Sequence, residues 1–243
     1  LDAAGAARLD RWRRHPDAPQ WTHATGDRLT AAQLDRVRHP LSTDGWLAEH
    51  LDAARRTLHY RDMPADARLE DVATIRRADL VADLGAFVPL NADLDRMLHG
   101  TSSGSTGAAL LIPDDVEEVA RGFHLLVALA ASEGAVVEPS GERMAVMNLV
   151  HQRQAFTYVS VISSFAQRAM ARVNLHPSAW TGVEARRRFL AEADPQILSG
   201  HPTSLGELLD VGLDGVLHPA VIFSGAMALS APLRARLERA FDC

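Results

Sequence analysis

The sequence predicts an α/β protein in which largely parallel sheets are flanked by helices and preceded by a helical N-terminal region. Two observations carry this prediction. After about residue 100, short apolar segments alternate with helical ones, which is the pattern of a parallel sheet covered on both faces. Before residue 70 the chain is rich in Ala, Arg, Asp and Leu and has helical periodicity. We therefore expect a helical region at 1–98 and an α/β subdomain at 99–243, incomplete at its C-terminus.

Composition narrows the class of protein. The chain has 243 residues, 47% of them hydrophobic and 23% charged, as in ordinary globular proteins. Its net charge of −6 excludes a broadly cationic surface, so no nucleic-acid partner is expected, and its single cysteine excludes an intrachain disulfide. No segment has the length and apolarity of a membrane span or a leader, so we expect a cytoplasmic protein. All 25 basic residues are arginine, so this chain alone cannot complete a mechanism that needs lysine.

In the first half of the chain the helical signals are local. Apolar residues at 41–60 fall on one side of a 3.6-residue repeat, which predicts a helix there. A second, short helix is expected to start at 76–80, and the segment 93–99 also has a helical pattern. The residues at 100–107 form a small-residue loop of glycine, serine and threonine.

The second half alternates strands and helices. Asp114 is the expected cap of a helix that runs to about residue 132. The elements expected next are a strand at 144–150, a helix at 156–171, a strand at 172–175, a helix at 183–193, a strand at 196–199, a helix at 204–210, a strand at 219–224 and a terminal helix from 231 capped by Ser230. Ligands of parallel sheets bind beyond the carboxyl ends of the strands, so the loops after these strands are the place to search for a site. Histidines 151, 176 and 201 are evenly spaced, but their neighbours differ, so the spacing predicts no repeat.

The loop at 100–107 suits an anion. Glycines let another group approach the backbone, and successive N–H groups and hydroxyls make a nest for phosphates. A flexible Gly/Ser linker is the alternative. The nucleotide P-loop pattern fails because Ser105 stands at its second glycine position and lysine is missing. The nucleophile-elbow pattern Gly-x-Ser-x-Gly fits residues 100–104 and leaves a serine hydrolase using Ser102 as an alternative, although the helical pattern at 93–99 is not the strand that an elbow requires.

Four segments in order carry a resemblance to a known family. The segment Thr101–Gly107 (TSSGSTG) resembles the phosphate-binding loop of the adenylate-forming superfamily, the acyl-CoA synthetases and their relatives, and is most similar to the phenylacetate–CoA ligase branch. Supporting likenesses are at Leu69–Leu80, at the turn Ser199–Leu205 and at the strand and turn Val221–Ser230. The resemblance covers roughly residues 70–243.

The resemblance implies an enzyme that activates a small carboxylic acid with ATP and Mg²⁺ to an acyl adenylate, then passes it to CoA or a carrier thiol; a homodimer is left open. It implies three sets of site residues. The phosphate-binding set is Ser102, Ser103, Gly104, Ser105, Thr106 and Gly107, the adenine-binding set is Ser224, Gly225, Ala226 and Met227, and the acyl-pocket set is His151, Phe156, Tyr158, Gly200 and Pro202. Core packing is the alternative for the aromatic residues in the last set.

The chain departs from the family pattern at two positions. Ala108 stands where the loop usually carries lysine, and Met227 stands where the adenine turn usually carries glutamate. The family's magnesium-binding and catalytic-lysine motifs would lie beyond Cys243, so we expect the 243 residues alone to be inactive in catalysis. A degenerate relative that binds a ligand or partner without adenylation is therefore an alternative.

Overall fold

The computed structural model describes residues 1–38, 44–102, 110–139 and 141–243. These residues form two compact units, one made of 1–34 with 120–243 and the other of 35–119. The helices are α1 (Ala3–Arg13), α2 (Ala31–Arg38), α3 (Trp46–Arg55), α4 (Arg77–Ala82), α5 (Val116–Ser132), α6 (Val183–Ala193), α7 (Pro202–Leu209) and α8 (Ala231–Phe241). The strands are β1 (His23–Ala24), β2 (Leu98–Ser102), β3 (Leu110–Asp114), β4 (Val146–Val150), β5 (Tyr158–Ile162), β6 (Arg168–Asn174), β7 (Ile197–Gly200) and β8 (Val221–Ser224). Short 3₁₀ turns lie at Leu69–Asp71, Leu84–Phe87, Leu94–Arg96 and Pro177–Ala179.

The larger unit is built on a six-stranded sheet in the order β1-β5-β6-β4-β7-β8. Every neighbouring pair runs parallel except β5 and β6, which are antiparallel. The carboxyl ends of β4, β6, β7 and β8 therefore share one edge of the sheet, and β5 begins at that same edge. The prediction of an α/β fold with a largely parallel sheet is confirmed.

Helices cover both faces of this sheet because each strand alternates its side chains. One face presents Met147, Leu149, Val161, Val173 and Leu198 to a core completed by side chains of α1, α6, α7 and α8, among them Trp12, Phe189, Leu205 and Phe241. The opposite face presents Val146, Ile162 and Ile197 to Phe123 and Ala130 of α5. Burial of both faces explains why the strands are short and strongly apolar.

Several predicted elements are found close to their expected bounds. The helix predicted at 183–193 is α6, and the helix expected to follow Asp114 is α5. The predicted cap of the terminal helix is confirmed, since Ser230 Oγ accepts a hydrogen bond of 3.4 Å from the Leu233 amide. Within 41–60 the described helix is α3, and residues 39–43 lie outside the described part of the chain.

The helix predicted at 156–171 is wrong. This segment forms β5, a turn and the first part of β6. Val159, Val161 and Ile162 are β-branched and buried, which favours a strand over a helix. Ala166 and Gln167 both have positive φ, 48° and 58°, and form the reversal between the two antiparallel strands. The strand predicted at 172–175 is accordingly longer and begins at Arg168.

The helix that the pattern at 93–99 indicates is also wrong in its second half. A 3₁₀ turn covers Leu94–Arg96, and β2 starts at Leu98. β2 pairs antiparallel with β3, with Gly100 opposite Ile112 and Ser102 opposite Leu110. The first three residues of the predicted loop at 100–107 are thus strand residues of a hairpin in the smaller unit.

The expected N-terminal helical region is only partly helical, because its described residues also form the strand β1, turns and 3₁₀ turns. Its first part belongs to the sheet unit. Trp12 is fully buried, and its ring meets that of Phe189 edge-on at 5.6 Å. Asp27 accepts hydrogen bonds of 2.6 and 2.7 Å from the amide and hydroxyl of Ser163, just after β5. Residues 1–34 are therefore held on the sheet by both packing and polar contacts.

Candidate functional site

A cleft opens at the carboxyl edge of the sheet in the larger unit. Its volume is about 350 Å³. The lining residues come from the ends of β4, β6, β7 and β8 and the start of β5: Asn148, Leu149, Val150, Tyr158, Arg172, Ser199, Gly200, His201, Gly225 and Ala226. Clefts beyond the carboxyl ends of parallel strands are where open α/β sheets bind small molecules.

Four polar side chains of the cleft form one row across the sheet. In the strand register Tyr158 is opposite Arg172, Arg172 is level with Asn148, and Asn148 is level with Ser199. Residues in register lie on the same face of a sheet. Two residues earlier, the same face carries Val146 and Ile197, which pack with α5 in the core. This face thus changes from apolar core to polar cleft within one pleat, and we call Tyr158, Arg172, Asn148 and Ser199 the polar row.

Charge in the cleft is positive. Among the described residues that line the cleft, Arg172 is the one permanently charged side chain, and none is an aspartate or a glutamate. Its side chain is half-buried and makes neither a hydrogen bond nor an ion pair with any described residue. A cation that is partly removed from water without a counter-ion favours an anionic ligand.

Tyr158 stands beside this cation as a neutral hydrogen-bonding group. Burial raises the pKa of the Tyr158 hydroxyl, and a hydrogen bond from Asn148 and the charge of Arg172 oppose that rise to a smaller extent. The Asn148 Nδ2 to Tyr158 hydroxyl distance is 3.5 Å, so the amide donates at the limit of hydrogen bonding. The phenol therefore stays protonated near neutral pH and can donate to a ligand.

The end of β7 forms the floor of the cleft. Gly200 lies so close to its neighbours that an added Cβ would be 2.6 Å from Ser204 Oγ and 3.2 Å from the Leu149 carbonyl oxygen. His201 follows as the cap of α7, and its Nδ1 accepts a hydrogen bond of 3.3 Å from the Ser204 amide. Because Nδ1 accepts, the proton of the neutral ring is on Nε2. His201 therefore offers an N–H donor on its outer nitrogen.

The turn after β8 forms the other wall. The Gly225 amide donates to the Gly200 carbonyl at 3.0 Å, and Ala226 has a positive φ of 64°. Ser224 Oγ is buried and has no hydrogen-bond partner among the described residues. Met227 is 60% exposed. Of the predicted adenine-binding set, Gly225 and Ala226 therefore line the cleft, whereas Ser224 and Met227 do not.

The structure places the predicted acyl-pocket residues in different surroundings. Tyr158 and Gly200 line the cleft, and Pro202 begins α7 directly beyond it. Phe156 instead packs against the His23 ring at 4.8 Å and the Tyr158 ring at 5.9 Å. His151 lies just after β4, with Nδ1 3.5 Å from Glu207 Oε1. Neither Phe156 nor His151 lines the cleft.

The even spacing of His151, His176 and His201 reflects strand ends. Each lies one or two residues after β4, β6 or β7. The rings of His151 and His176 are 5.4 Å apart. No three His, Cys, Asp or Glu side chains in the described part of the chain are grouped so as to hold a metal ion.

The predicted phosphate-binding set is described only at its first member. Ser102 ends β2, and residues 103–107 lie outside the described ranges. β2 is the strand that a nucleophile elbow requires before its serine, in place of the helix expected at 93–99. The residues that would follow the elbow are outside the described ranges, so the hydrolase interpretation of Ser102 stays a prediction.

Four polar residues of the cleft escaped prediction, namely Asn148, Arg172, Ser199 and His201. A signal for them exists in the sequence. Asn148 stands between the buried residues Met147 and Leu149, and Arg172 between Ala171 and Val173. A polar residue that interrupts a buried strand is costly unless it has a partner or a function.

The chain matches no protein-family model and no curated protein. None of the described helices combines the length and apolar composition needed to cross a bilayer. The fold and the cleft define an α/β protein with a candidate ligand site at the carboxyl edge of its sheet.

Proposed function

We propose that this chain is the N-terminal, nucleotide- and acid-binding part of an ATP-dependent enzyme of the adenylate-forming superfamily, similar to phenylacetate–CoA ligase. The enzyme activates a carboxylic acid as an acyl adenylate and passes the acyl group to CoA or a carrier thiol. One observation carries the proposal. Tyr158, Gly200, Gly225 and Ala226, which three separate segments contribute, line a single cleft.

The turn after β8 fits the nucleotide end of such a site. Gly225 has no atom within 4 Å of where its Cβ would be, so a flat ring can approach its backbone. ATP supplies the adenylyl group when bound. The described residues group no acidic side chains for Mg²⁺, so we assign none to that ion.

The polar row fits the acid end. In the proposed reaction an oxygen of the acid attacks the α-phosphorus, a P–O bond forms, and pyrophosphate leaves. Protein groups contribute to such a step mainly by positioning and by stabilising charge. His201 lines the cleft directly after β7, the strand between β4 and β8, so its Nε2–H is the donor we assign to the carboxylate. Tyr158 and Arg172 hold the acid from β5 and β6.

Binding of adenosine ligands tests the proposal with the chain as it is. Isothermal titration should detect AMP binding and tighter binding of an acyl sulfamoyl adenosine, a stable mimic of the acyl adenylate. Gly225→Trp puts a bulky side chain at the cleft and should abolish both. Gly122→Trp is the matched control, because Gly122 is exposed on α5 and also has free space around its Cβ position. A folded wild-type chain that binds none of AMP, ATP and the mimic contradicts the proposal.

A non-catalytic relative is the second candidate, and the exposed Met227 favours it because it replaces a polar contact that the family resemblance implies. ATP–pyrophosphate exchange over a panel of aryl and alkyl acids separates the two in the gene's full-length product. Exchange with any acid identifies the enzyme. Adenosine binding without exchange identifies the binding protein.

A further inference from the structure

The cationic end of the cleft is the end that lies farthest from the β8 turn. Arg172 is on β6, and the sheet order places β4 and β7 between β6 and β8. Neighbouring strands are about 4.8 Å apart, so the backbone at Arg172 is about 14 Å from the β8 turn. The two ends of the cleft are therefore too far apart to serve one carboxylate.

The surroundings of Arg172 leave its charge for a ligand. Its in-register neighbours Tyr158 and Asn148 are neutral. Neither they nor any other described residue gives it a counter-ion. A plain aryl or alkyl group at this end would bury the guanidinium without a partner, which is unfavourable.

We propose that the acid taken by this cleft carries a second anionic group, such as a second carboxylate, at the end remote from the reacting carboxyl, and that Arg172 binds this group with help from Tyr158 and Asn148. The inference rests on the proposed function for the identity of the reacting end. Arginine binds a carboxylate through two parallel N–H donors, and the phenol and the amide add neutral donors beside it. The substrate class is thus a dicarboxylic acid or a similarly charged acid, and Arg172 is its specificity determinant.

Paired mimics test this inference. One is an acyl sulfamoyl adenosine whose acyl group, adipoyl or 4-carboxyphenylacetyl, ends in a free carboxylate; the other is its methyl ester. The wild-type chain should bind the carboxylate form about tenfold to a hundredfold more tightly than the ester, the range expected for a charge-assisted contact. Arg172→Gln should bring the ratio close to one, and Arg172→Lys should keep part of it.

The matched control is Arg187→Gln, since Arg187 is exposed on α6 and has no role in the cleft. It should leave the ratio unchanged. Urea unfolding of Arg172→Gln should show full stability, because the substitution removes a charge that has no protein partner. Equal binding of both mimics to the wild-type chain overturns the inference, and so does equal weakening of both by Arg172→Gln, which would place Arg172 against the nucleotide.

Failure of the proposed function gives a different result. If neither mimic nor AMP binds, the role of Arg172 can be tested by itself. Free adipate and 4-carboxyphenylacetate are titrated with the protein, and binding is detected in the NMR signals of the ligand. Binding that Arg172→Gln removes and Arg187→Gln preserves supports an anion site in a protein that is not adenylate-forming. Absence of that difference refutes both ideas together.

Discussion

The Gly225 amide donates a hydrogen bond of 3.0 Å to the carbonyl oxygen of Gly200. Gly200 is level with Ser224 in the parallel pair β7–β8, so this bond lies one residue beyond the end of the ladder. It fixes the turn after β8 to the floor of the cleft. The floor of the candidate site and the wall formed by the β8 turn thus both depend on the conformation of Gly200.

Gly200→Ala should therefore destabilise the fold and weaken ligand binding. The new Cβ would be 2.6 Å from the Ser204 hydroxyl oxygen and 3.2 Å from the backbone oxygen of Leu149. Overpacking of this kind costs about 1–3 kcal/mol. Urea unfolding followed by circular dichroism measures the stability, and calorimetric titration with the acyl adenylate mimic measures the binding.

Gly206→Ala provides the control for that substitution. Gly206 lies inside α7, and the position of its added Cβ has no atom within 4 Å. Alanine in a helix interior is more favourable than glycine by about 0.5–1 kcal/mol. We expect Gly206→Ala to be neutral or stabilising, and equal stability of the two variants would contradict the close approach at Gly200.

In alkaline titration Tyr158 should ionise at a higher pH than an ordinary tyrosine. Burial raises the pKa of its hydroxyl, whereas the positive charge of Arg172 lowers it. Loss of that charge disfavours the phenolate, so Arg172→Gln should raise the pKa of Tyr158 further. Absorbance at the phenolate band follows the titration, and Tyr158→Phe identifies its contribution because the chain has only two tyrosines.

The same shift predicts the effect of alkali on stability. A phenol whose pKa is higher in the folded than in the unfolded chain contributes stability below its unfolded pKa, and this is lost as pH rises through the folded value. The free energy of unfolding should thus fall more steeply above about pH 10 in the wild-type chain than in Tyr158→Phe. An unchanged phenolate titration in Arg172→Gln would show that the two side chains are not coupled.

Much of the α/β pattern could be predicted because short apolar segments and the turn residues between them mark the strands and helices within a few residues. The helix α6 and the strands β4, β7 and β8 are bounded by prolines, glycines or caps, and these signals act over a few residues. The segment at 156–171 is wrongly predicted as a helix because its apolar residues also fit a helical repeat. β5 and the first part of β6 pair with each other across the turn at Ala166 and Gln167, and apolar periodicity does not contain that pairing.

The candidate site was predictable only in part for the same reason. Gly200 and Gly225 were found through a likeness of short segments. Asn148 and Arg172 become members of one site only when β4 and β6 are placed side by side. Treating 156–171 as a helix separated Tyr158 from both, so the polar row could not be seen.

Arg168 should be among the most sensitive residues for stability. It is 1% exposed, and its guanidinium donates to the carbonyl of Glu138 at 2.7 Å and to that of Arg143. Arg168→Ala would remove the donor of these part-buried hydrogen bonds and a large side chain from the core. We expect a loss of about 2–4 kcal/mol in the free energy of unfolding.

Urea unfolding checks this expectation, with Arg187→Ala as the control. Arg187 is an exposed arginine of α6, where truncation should change stability by at most about 0.5 kcal/mol. Similar midpoints for the two variants would show that the carbonyls of the 138–143 segment find other donors.

Glu192 should make stability depend on acidity. Its carboxylate is bound by His15 Nε2 at 2.9 Å and by Arg11 Nη2 at 2.9 Å, and these hydrogen bonds hold the pKa of Glu192 below its ordinary value. A carboxylate with a lowered folded pKa stabilises the fold above its unfolded pKa, and this contribution is lost as pH falls through the folded value.

Because Glu192 is about half exposed, Glu192→Gln should cost only about 0.2–1 kcal/mol at pH 7, and the difference should shrink between about pH 5 and 3. Urea unfolding at several pH values measures it, beside Glu184→Gln, which removes an exposed acid from the same helix. If the difference in unfolding free energy between wild type and Glu192→Gln stays constant down to pH 3, the contacts of Glu192 with Arg11 and His15 do not contribute to stability.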